Sequence, residues 1–246
     1  MNWYKLDLHI HTALSPCTSD EMTPANIVQM AELEDLRLIA ITDHNSSYNC
    51  EAVIGAAQGK NVKVLYGMEV QTKEEVHVLT LLPTKEAMDQ WQANINQRMA
   101  PIPSKSQAFG RQLVFDAQDT PISEYPYVLQ QALEYTLEDL AYDCNELNGL
   151  VIPAHIDRPS FGVLGQLGFI PSGIRCHGWE ISRESFDKKI PDVPGPLVCN
   201  SDAHDLADFI RPGHVQSWLY AQAPNFCELR LALQSRGGRK VVIGAR

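Results

Sequence analysis

The sequence has no hydrophobic run long enough to cross a bilayer. Although 44% of its 246 residues are hydrophobic, no apolar stretch approaches the ~18 residues that a membrane-spanning helix needs. The polar first five residues also lack the hydrophobic core of a secretion signal. We therefore expect no membrane partner and a cytoplasmic location.

Positive charge is scarce as well. Twenty lysines and arginines stand against 30 acidic residues, a formal net charge of −10. Because clustered lysines and arginines bind phosphate backbones, this balance argues against an extended nucleic acid as a partner. Bound divalent cations would offset part of the negative charge, so a small anionic substrate is compatible with it. The six cysteines form no C-x-x-C pair, which favours reduced thiols over a disulfide framework.

What the sequence does contain is a series of metal-ligand side chains placed at the ends of apolar runs. Side chains two apart in a strand point to the same side, so the first two histidines of the series can bind one metal or two neighbouring metals. Repeated occurrence at predicted strand ends predicts a multinuclear metal site, and hence a hydrolase. The residues are His9, His11, His44, Glu69, His155, Asp202 and His204, with His77 near the start of a further predicted strand.

Strands alternate with helices along most of the chain, which predicts a parallel sheet. Helices are expected at 24–34, 51–58, 136–147 and 226–234, between strands such as 36–42, 62–66, 76–82 and 150–152. Five strands deliver polar residues at their carboxyl ends, which favours a β/α barrel over an open doubly wound sheet. With about seven usable strands, an irregular or incomplete barrel is expected rather than a regular eightfold one.

Residues 83–126 interrupt this alternation with five prolines and several polar runs. A helix from residue 85 to about 99 is expected within them. We interpret the segment as an insertion near the barrel mouth of a single domain that spans residues 1–246. A substrate lid and a mobile surface loop without a role are both compatible with its composition.

Three strings in the sequence resemble the motifs of the PHP (polymerase and histidinol phosphatase) superfamily. The strings are Asp7-Leu8-His9-Ile10-His11-Thr12, Ala40-Ile41-Thr42-Asp43-His44-Asn45 and Ser201-Asp202-Ala203-His204, with Glu69, His77 and His155 in the expected order between them. The resemblance covers residues 5–205. It implies an α/β fold, a distorted (β/α)7 TIM-like barrel, with two to three divalent metal ions (zinc, manganese or iron). It also implies hydrolysis of phosphate esters.

The resemblance further implies three ligand sets that share one carboxylate. The first set is His9, His11, Glu69 and Asp202. The second is His44 and His204, with one more ligand from the loop after His11. The third is His77 and His155, bridged to the first by Glu69.

The loop ligand departs from the simplest family pattern. Asp20 is our choice, because a carboxylate suits hard metals and zinc alike, and Cys17 is the rival if the metal is zinc. Asp43 is expected to orient a ligand histidine rather than to bind metal.

Metals a few ångströms apart lower the pKa of a bridging water, neutralise charge on the phosphate and stabilise the leaving oxygen. Asp202 and His204 are the catalytic candidates at the metals, with His204 as a possible proton donor to the leaving group. Arg158 is the first candidate for binding the phosphate, through two parallel hydrogen bonds from its guanidinium. The alternative is that Arg158 forms an ion pair with Asp157 or another acid. Weaker candidates are Arg183, Arg211 and His214, the last of which fits a solvated turn.

The leading functional hypothesis is a phosphatase that acts on a small phosphate monoester, such as a nucleotide, a nucleoside bisphosphate or a histidinol-phosphate-like compound. The alternatives are a nuclease on short oligonucleotides and a catalytically silent metal-binding PHP module. An amidohydrolase-type enzyme would normally use a carboxylated lysine as its metal bridge, whereas here Glu69 can bridge. The motifs leave the substrate, the metal and the oligomeric state open.

Overall fold

The structure is a computed structural model of the chain, and it describes residues 1–105, 110–183, 192–211 and 215–244. The strands are β1 (Asn2–Ile10), β2 (Leu36–Ile41), β3 (Lys63–Gln71), β4 (His77–Leu82), β5 (Leu113–Phe115), β6 (Pro121–Glu124), β7 (Leu150–Pro153), β8 (Trp179–Glu180), β9 (Leu197–Val198), β10 (Gln216–Ala221) and β11 (Lys240–Gly244). The α-helices are α1 (Pro24–Leu33), α2 (Cys50–Ala56), α3 (Lys85–Arg98), α4 (Leu137–Glu146), α5 (Val163–Leu167) and α6 (Phe226–Leu233), and a 3-10 helix covers Leu206–Ile210.

Four helices begin at polar residues whose side chains cap them. Each cap accepts a hydrogen bond from a backbone amide in the first helical turn, which the helix itself leaves unpaired. The caps are Thr23, Thr84, Thr136 and Asn225. These signals explain why the predicted helices at 24–34, 85–99 and 226–234 are confirmed to within two residues. None of the helices in the described ranges has the length and apolar character that a bilayer crossing requires.

The main sheet has seven strands in the order β11-β10-β1-β2-β3-β4-β7. The prediction of a parallel sheet holds only for the pairs β1–β2 and β2–β3, since β4, β7, β10 and β11 pair antiparallel to their neighbours. Residues 72–76 alone join β3 to β4, and such a short connection permits only an antiparallel turn. The sheet is therefore mixed.

The distorted (β/α)7 TIM-like barrel implied by the sequence resemblance is confirmed in part: the mixed α/β fold is consistent with a TIM-like barrel, but the described part of the chain does not close into a (β/α)7 barrel. The seven-stranded sheet curls into a half-barrel, and β8 and β9 form a separate two-stranded parallel ribbon. Backbone hydrogen bonds of the segments beside this ribbon link it to the sheet on both sides. On one side Ile156 N donates to Glu180 O (2.8 Å) and His177 N to Val151 O (2.8 Å), and on the other His11 N donates to Ala203 O (3.1 Å) and Ala203 N to His9 O (3.3 Å). The fold is thus mixed α/β, and the β8–β9 ribbon with its neighbouring segments occupies the open side of the curled sheet.

Apolar side chains on both faces of the sheet hold the strand ends in place. Leu8, Leu79 and Ile152 are fully buried in a cluster that α6 covers, and Ile10 and Ile27 belong to a second cluster beneath α1 and α2. Burying a side chain of this size contributes about 1.5–3 kcal/mol. The polar residues at the strand ends therefore lie on a rigid frame.

The segment 83–126 divides into two parts. Helix α3 belongs to the body of the protein, because Met88, Trp91 and Ile95 are buried against the sheet. The hairpin β5–β6 attaches to the loops that follow β1 and β2: Leu113 N donates to Ala13 O (2.7 Å), and Phe115 N donates to Asn49 Oδ1 (2.9 Å). Those loops also carry candidate ligands. A lid function for this segment stays a prediction.

Candidate functional site

The predicted metal ligands meet at one edge of the sheet. Strands β1, β2 and β3 bring their carboxyl ends to this edge, and β4 brings its amino end there because it runs antiparallel to β3. β7 and β9 are followed by the remaining ligands. The residues that converge are His9, His11, His44, Glu69, His77, His155, Asp202 and His204. All are buried except Asp202 and His204, which are partly exposed.

Glu69 lies at the centre of this group, and its two carboxylate oxygens face different histidines. The Oε1 atom lies 2.9 Å from His77 Nδ1, 3.2 Å from His9 Nε2 and 3.3 Å from His155 Nε2. The Oε2 atom lies 3.0 Å from His44 Nδ1 and 3.4 Å from His11 Nε2. A carboxylate with this arrangement is able to bridge two cations, as the sequence predicts for Glu69.

Asp202 forms the second carboxylate corner of the cluster. Its Oδ1 lies 3.1 Å from His9 Nε2 and 3.4 Å from His11 Nε2, and its Oδ2 accepts a hydrogen bond from Arg158 Nη1 (2.5 Å). The backbone φ of Asp202 is 51° and that of His155 is 27°. Such left-handed conformations cost non-glycine residues about 1–3 kcal/mol and concentrate at functional sites.

The cluster contains three overlapping groups of ligand atoms, each lying within 4.8 Å of one another. The groups are His9, His11 and Asp202, then His11, His44 and His204, and finally His44, Glu69 and His77. The first group contains three of the four residues in the predicted first set, and the second group keeps His44 with His204, as predicted, but adds His11. The third group differs from the prediction, because it joins His44 to Glu69 and His77, whereas His155 belongs to none of the three groups and its Nε2 lies 3.3 Å from Glu69 Oε1.

Several buried polar atoms of the cluster have no hydrogen-bond partner. They are His44 Nδ1, His44 Nε2, Glu69 Oε2, His77 Nε2 and His155 Nδ1. Leaving such an atom unsatisfied costs about 1–3 kcal/mol, and coordination to a cation is one way to satisfy it. Imidazole nitrogens together with carboxylate oxygens suit zinc, manganese and iron. The residues therefore fit the predicted divalent cations.

The electrostatics of the cluster also favour a cation. Burial alone would lower the pKa of His9, but the carboxylates of Asp202, Glu180 and Glu69 outweigh it and raise that pKa well above its usual value. Burial and the neighbouring His204 hold the pKa of His11 well below its usual value. His9 thus lies in a strongly negative field, whereas His11 is held as the neutral ring that a metal requires.

Two further carboxylates lie close to histidines of the cluster. Glu180 Oε2 lies 2.9 Å from His9 Nδ1. Asp43 accepts a hydrogen bond from Ser15 Oγ (2.7 Å), which in turn contacts His11 Nδ1 (2.9 Å). Asp43 is therefore connected to His11 through Ser15, and its expected role in orienting a histidine stays a prediction. Burial raises the pKa of Asp43 to about 6.

Glu180 is the residue that sequence reasoning missed. It is the acidic residue at the end of β8, so it follows the same pattern as the other strand-end residues. Its distance to His9 depends on the parallel pairing of β8 with β9, which the sequence does not specify.

The structure does not bring Asp20 to the cluster, so the choice of Asp20 as the loop ligand is not supported. Its side chain is 54% exposed and pairs with Arg111 Nη1 at 3.0 Å. Cys17 lies instead on the wall of a cavity that His44 and His77 also line. The loop turns here so that Cys17 faces the cluster and Asp20 faces solvent.

The predicted arginines have different surroundings. Arg158 pairs with Asp202, and the alternative partner Asp157 accepts instead from Ser182 N (2.7 Å). Arg183 Nη1 donates to Asp208 O (2.7 Å), and Arg211 Nη2 lies 2.5 Å from Asp208 Oδ1. His214 lies outside the described residues.

Two cavities of about 320 Å³ each meet at the cluster. They share His155, Arg158, Asp202 and His204 on their walls. Polar groups such as Ser182 and Asn200 line the first cavity, whereas Pro159 and Phe161 line the second. A bound molecule is therefore able to contact the ligands and Arg158 from either side.

Comparison with known proteins identifies a family and similar folds. The family model of the PHP domain matches residues 7–142. No curated protein matches the chain. The lesion-specific endonuclease PfuEndoQ from Pyrococcus furiosus is similar with a TM-score of 0.70 and 21% identity, over 98% of this chain and 58% of that chain. A complex of Endonuclease Q with a 27-mer duplex that carries an abasic lesion gives 0.69 and 20%, over 97% and 58%. A protein of Bifidobacterium adolescentis assigned as a metal-dependent phosphoesterase gives 0.54 and 17%, over 95% and 96%.

The chain thus spans a little more than half the length of the endonuclease Q chains that it resembles. The fold that they share is found in a complex with duplex DNA. The expectation of a small substrate with no nucleic-acid partner is therefore wrong, because this fold does not restrict binding to small molecules. A net negative charge is a property of the whole chain and leaves the charge at the site open.

Proposed function

The chain belongs to the PHP domain family, and we propose that it uses the buried histidine and carboxylate cluster to hydrolyse phosphate esters with divalent cations. Membership makes the chain a metal-dependent hydrolase acting on phosphoester bonds. The observation that carries the proposal is the convergence of six histidines on Glu69 and Asp202, in three overlapping ligand groups. Structural histidines satisfied by hydrogen bonds would not leave so many ring nitrogens unpartnered.

Divalent cations held by this cluster would lower the pKa of water and neutralise charge on the phosphate. Arg158 supports the phosphate from the protein side, because its side chain is 39% exposed and lines both cavities. Its guanidinium is planar and matches two phosphate oxygens at once. The pairing with Asp202 holds the guanidinium beside the cluster when no phosphate competes for it.

His204 is better suited to ligation than to proton donation. Its Nδ1 lies 2.8 Å from the backbone oxygen of Asp202, which only accepts hydrogen bonds, so Nδ1 carries the ring proton. The lone pair at Nε2 is then available to a cation. We assign His204 to metal binding, and donation to a leaving group would need a second proton on the ring.

Two substrate classes follow from these features. Cavities of about 320 Å³ lie within the range typical of small-molecule sites, which supports a small phosphate monoester as the sequence suggested. A nuclease activity is the second candidate, and the fold shared with an endonuclease Q bound to duplex DNA supports it. Openings on both sides of the cluster would let a strand pass on either side.

The test compares both classes on one preparation. Purified protein is analysed for bound metals and assayed with added Mn²⁺ or Zn²⁺ on phosphomonoesters, nucleoside bisphosphates, single-stranded oligonucleotides and a duplex with an abasic site. We expect at least two cations per chain and hydrolysis of one of these classes. The variant Asp202→Asn serves as the control, and hydrolysis at the wild-type rate by that variant would contradict the proposal.

A further inference from the structure

Glu180 connects three separate ligand-bearing segments through one buried carboxylate. Its side chain is 2% exposed. The Oε2 atom lies 2.9 Å from His9 Nδ1 and accepts from His155 N (3.0 Å), and Oε1 accepts from Asn200 Nδ2 (2.8 Å). These partners belong to the end of β1, the segment after β7 and the segment between β9 and Asp202.

We propose that Glu180 is a positioning residue that fixes His9 as a metal ligand through Nε2 and holds the His155 and Asp202 segments in register with it. The proposal rests on metal binding at the cluster, as proposed above, but it is independent of the substrate. Glu180 itself lies outside the three ligand groups.

The chemistry of the carboxylate sets the orientation of the His9 ring. An ionised carboxylate only accepts hydrogen bonds, so the Nδ1 that faces it must donate. The lone pair of the neutral ring is then on Nε2, which lies 3.1 Å from Asp202 Oδ1 and 3.2 Å from Glu69 Oε1. A cation between these three atoms would thus meet a nitrogen in the form that binds it.

The other two hydrogen bonds of Glu180 fix the backbone amide of His155 and the side-chain amide of Asn200. The bond from His155 N supports a residue whose φ of 27° is otherwise unfavourable. Asn200 links Glu180 to β1 as well, because its Oδ1 accepts a hydrogen bond from Leu8 N (2.9 Å). One carboxylate therefore joins the ends of β1, β7 and β9, where the sheet is open.

Glu180→Gln tests the proposal with little change in size. Three donors face Glu180, and a glutamine offers one oxygen acceptor and an NH₂ donor in its place. The least constrained donor is the His9 ring, which would move its proton to Nε2. We expect zinc affinity, measured by competition with a chromophoric chelator, to fall by about 10- to 100-fold, the range for outer-shell partners of metal ligands.

A spectroscopic readout separates this role from a merely structural one. Long-range ¹H–¹⁵N spectra of the zinc-loaded wild type should show His9 protonated at Nδ1, and the Glu180→Gln spectrum should lack that signal. Glu228→Gln is the matched control, since Glu228 in α6 is also a buried carboxylate, pairs with Arg239 and lies outside the ligand groups, and it should change neither readout. Wild-type zinc affinity together with an unchanged His9 signal in Glu180→Gln would overturn the proposal.

A second pair of variants keeps the test decisive if Glu180→Gln does not fold. Glu180→Asp and Glu180→Asn have nearly the same shape, and only the first retains an acceptor-only group. Tighter zinc binding by the Asp variant supports the proposal, and equal binding by the two refutes it. Neither readout uses turnover, so a failure to find a phosphate-ester substrate would overturn the proposed function and leave the role of Glu180 standing.

Discussion

Replacing Arg158 with alanine tests the assignment of the phosphate-binding side chain most directly. The substitution removes the guanidinium that lines both cavities and pairs with Asp202. A hydrogen bond between charged groups contributes about 1.5–3 kcal/mol, and about 1.36 kcal/mol corresponds to a tenfold change in rate. Since 39% of the Arg158 side chain is exposed, solvent screening places the expected loss in kcat/KM at about 10- to 50-fold.

The assay is steady-state hydrolysis of the best ester found for the wild type, with inorganic phosphate as a competitive inhibitor. Arg158→Ala should weaken inhibition by phosphate in parallel with kcat/KM, and Arg158→Lys should show an intermediate loss, because a lysine keeps the charge without the fork. Arg111→Ala is the matched control, since Arg111 pairs with Asp20 and Glu124 at the surface. Metal content is measured for every variant.

Two results would refute this reasoning. If kcat/KM and phosphate inhibition of Arg158→Ala stay within twofold of the wild type, Arg158 does not bind the phosphate and only pairs with Asp202. If the activity falls in proportion to lost cations, Arg158 acts by holding Asp202 in place, and the phosphate has another partner.

Asp202→Asn should bind fewer cations per chain and lose at least as much metal affinity as an outer-shell change, about 10- to 100-fold; elemental analysis showing full occupancy would exclude Asp202 as a ligand. Chelation should lower the Tm by about 8–16 °C, because cations at about 1,000 times their Kd stabilise by about 4 kcal/mol; calorimetry showing no shift would mean that the cluster binds none tightly. Burial and the nearby Arg230 lower the pKa of His177 to about 4, and the folded chain then binds fewer protons than the unfolded chain between pH 4 and the usual 6.5. The free energy of unfolding should therefore fall as the pH drops through this window, by about 1–3 kcal/mol after allowance for partial exposure. Urea titrations should show a flatter pH dependence in His177→Asn, and equal slopes would contradict the assignment.

The chemistry of the site was predictable because it depends on residue type and local context. Histidines and acids that end apolar runs converge wherever strand ends share an edge, and His9 and His11 are paired by their spacing alone. The grouping of Asp202 with them came from the family resemblance. The helix caps at Thr23 and Thr136 are local for the same reason, since a cap needs only its own first turn. The family resemblance added the order of the ligands, and the match to residues 7–142 agrees with it.

The tertiary structure decided what depends on long-range pairing. The direction of β4 follows from its short connection to β3. This direction puts the amino end of β4, which carries His77, at the edge where the other candidate ligands lie. The loop after His11 turns Asp20 outward toward Arg111, which no local pattern indicates. Glu180 reaches His9 across 171 residues of sequence only because β8 lies beside β9 near the end of β1. Sequence alone thus determined which chemistry this protein carries, because side-chain types and strand ends are local properties. The structure decided which residues share a cation or orient it, because those distances arise only when the sheet curls.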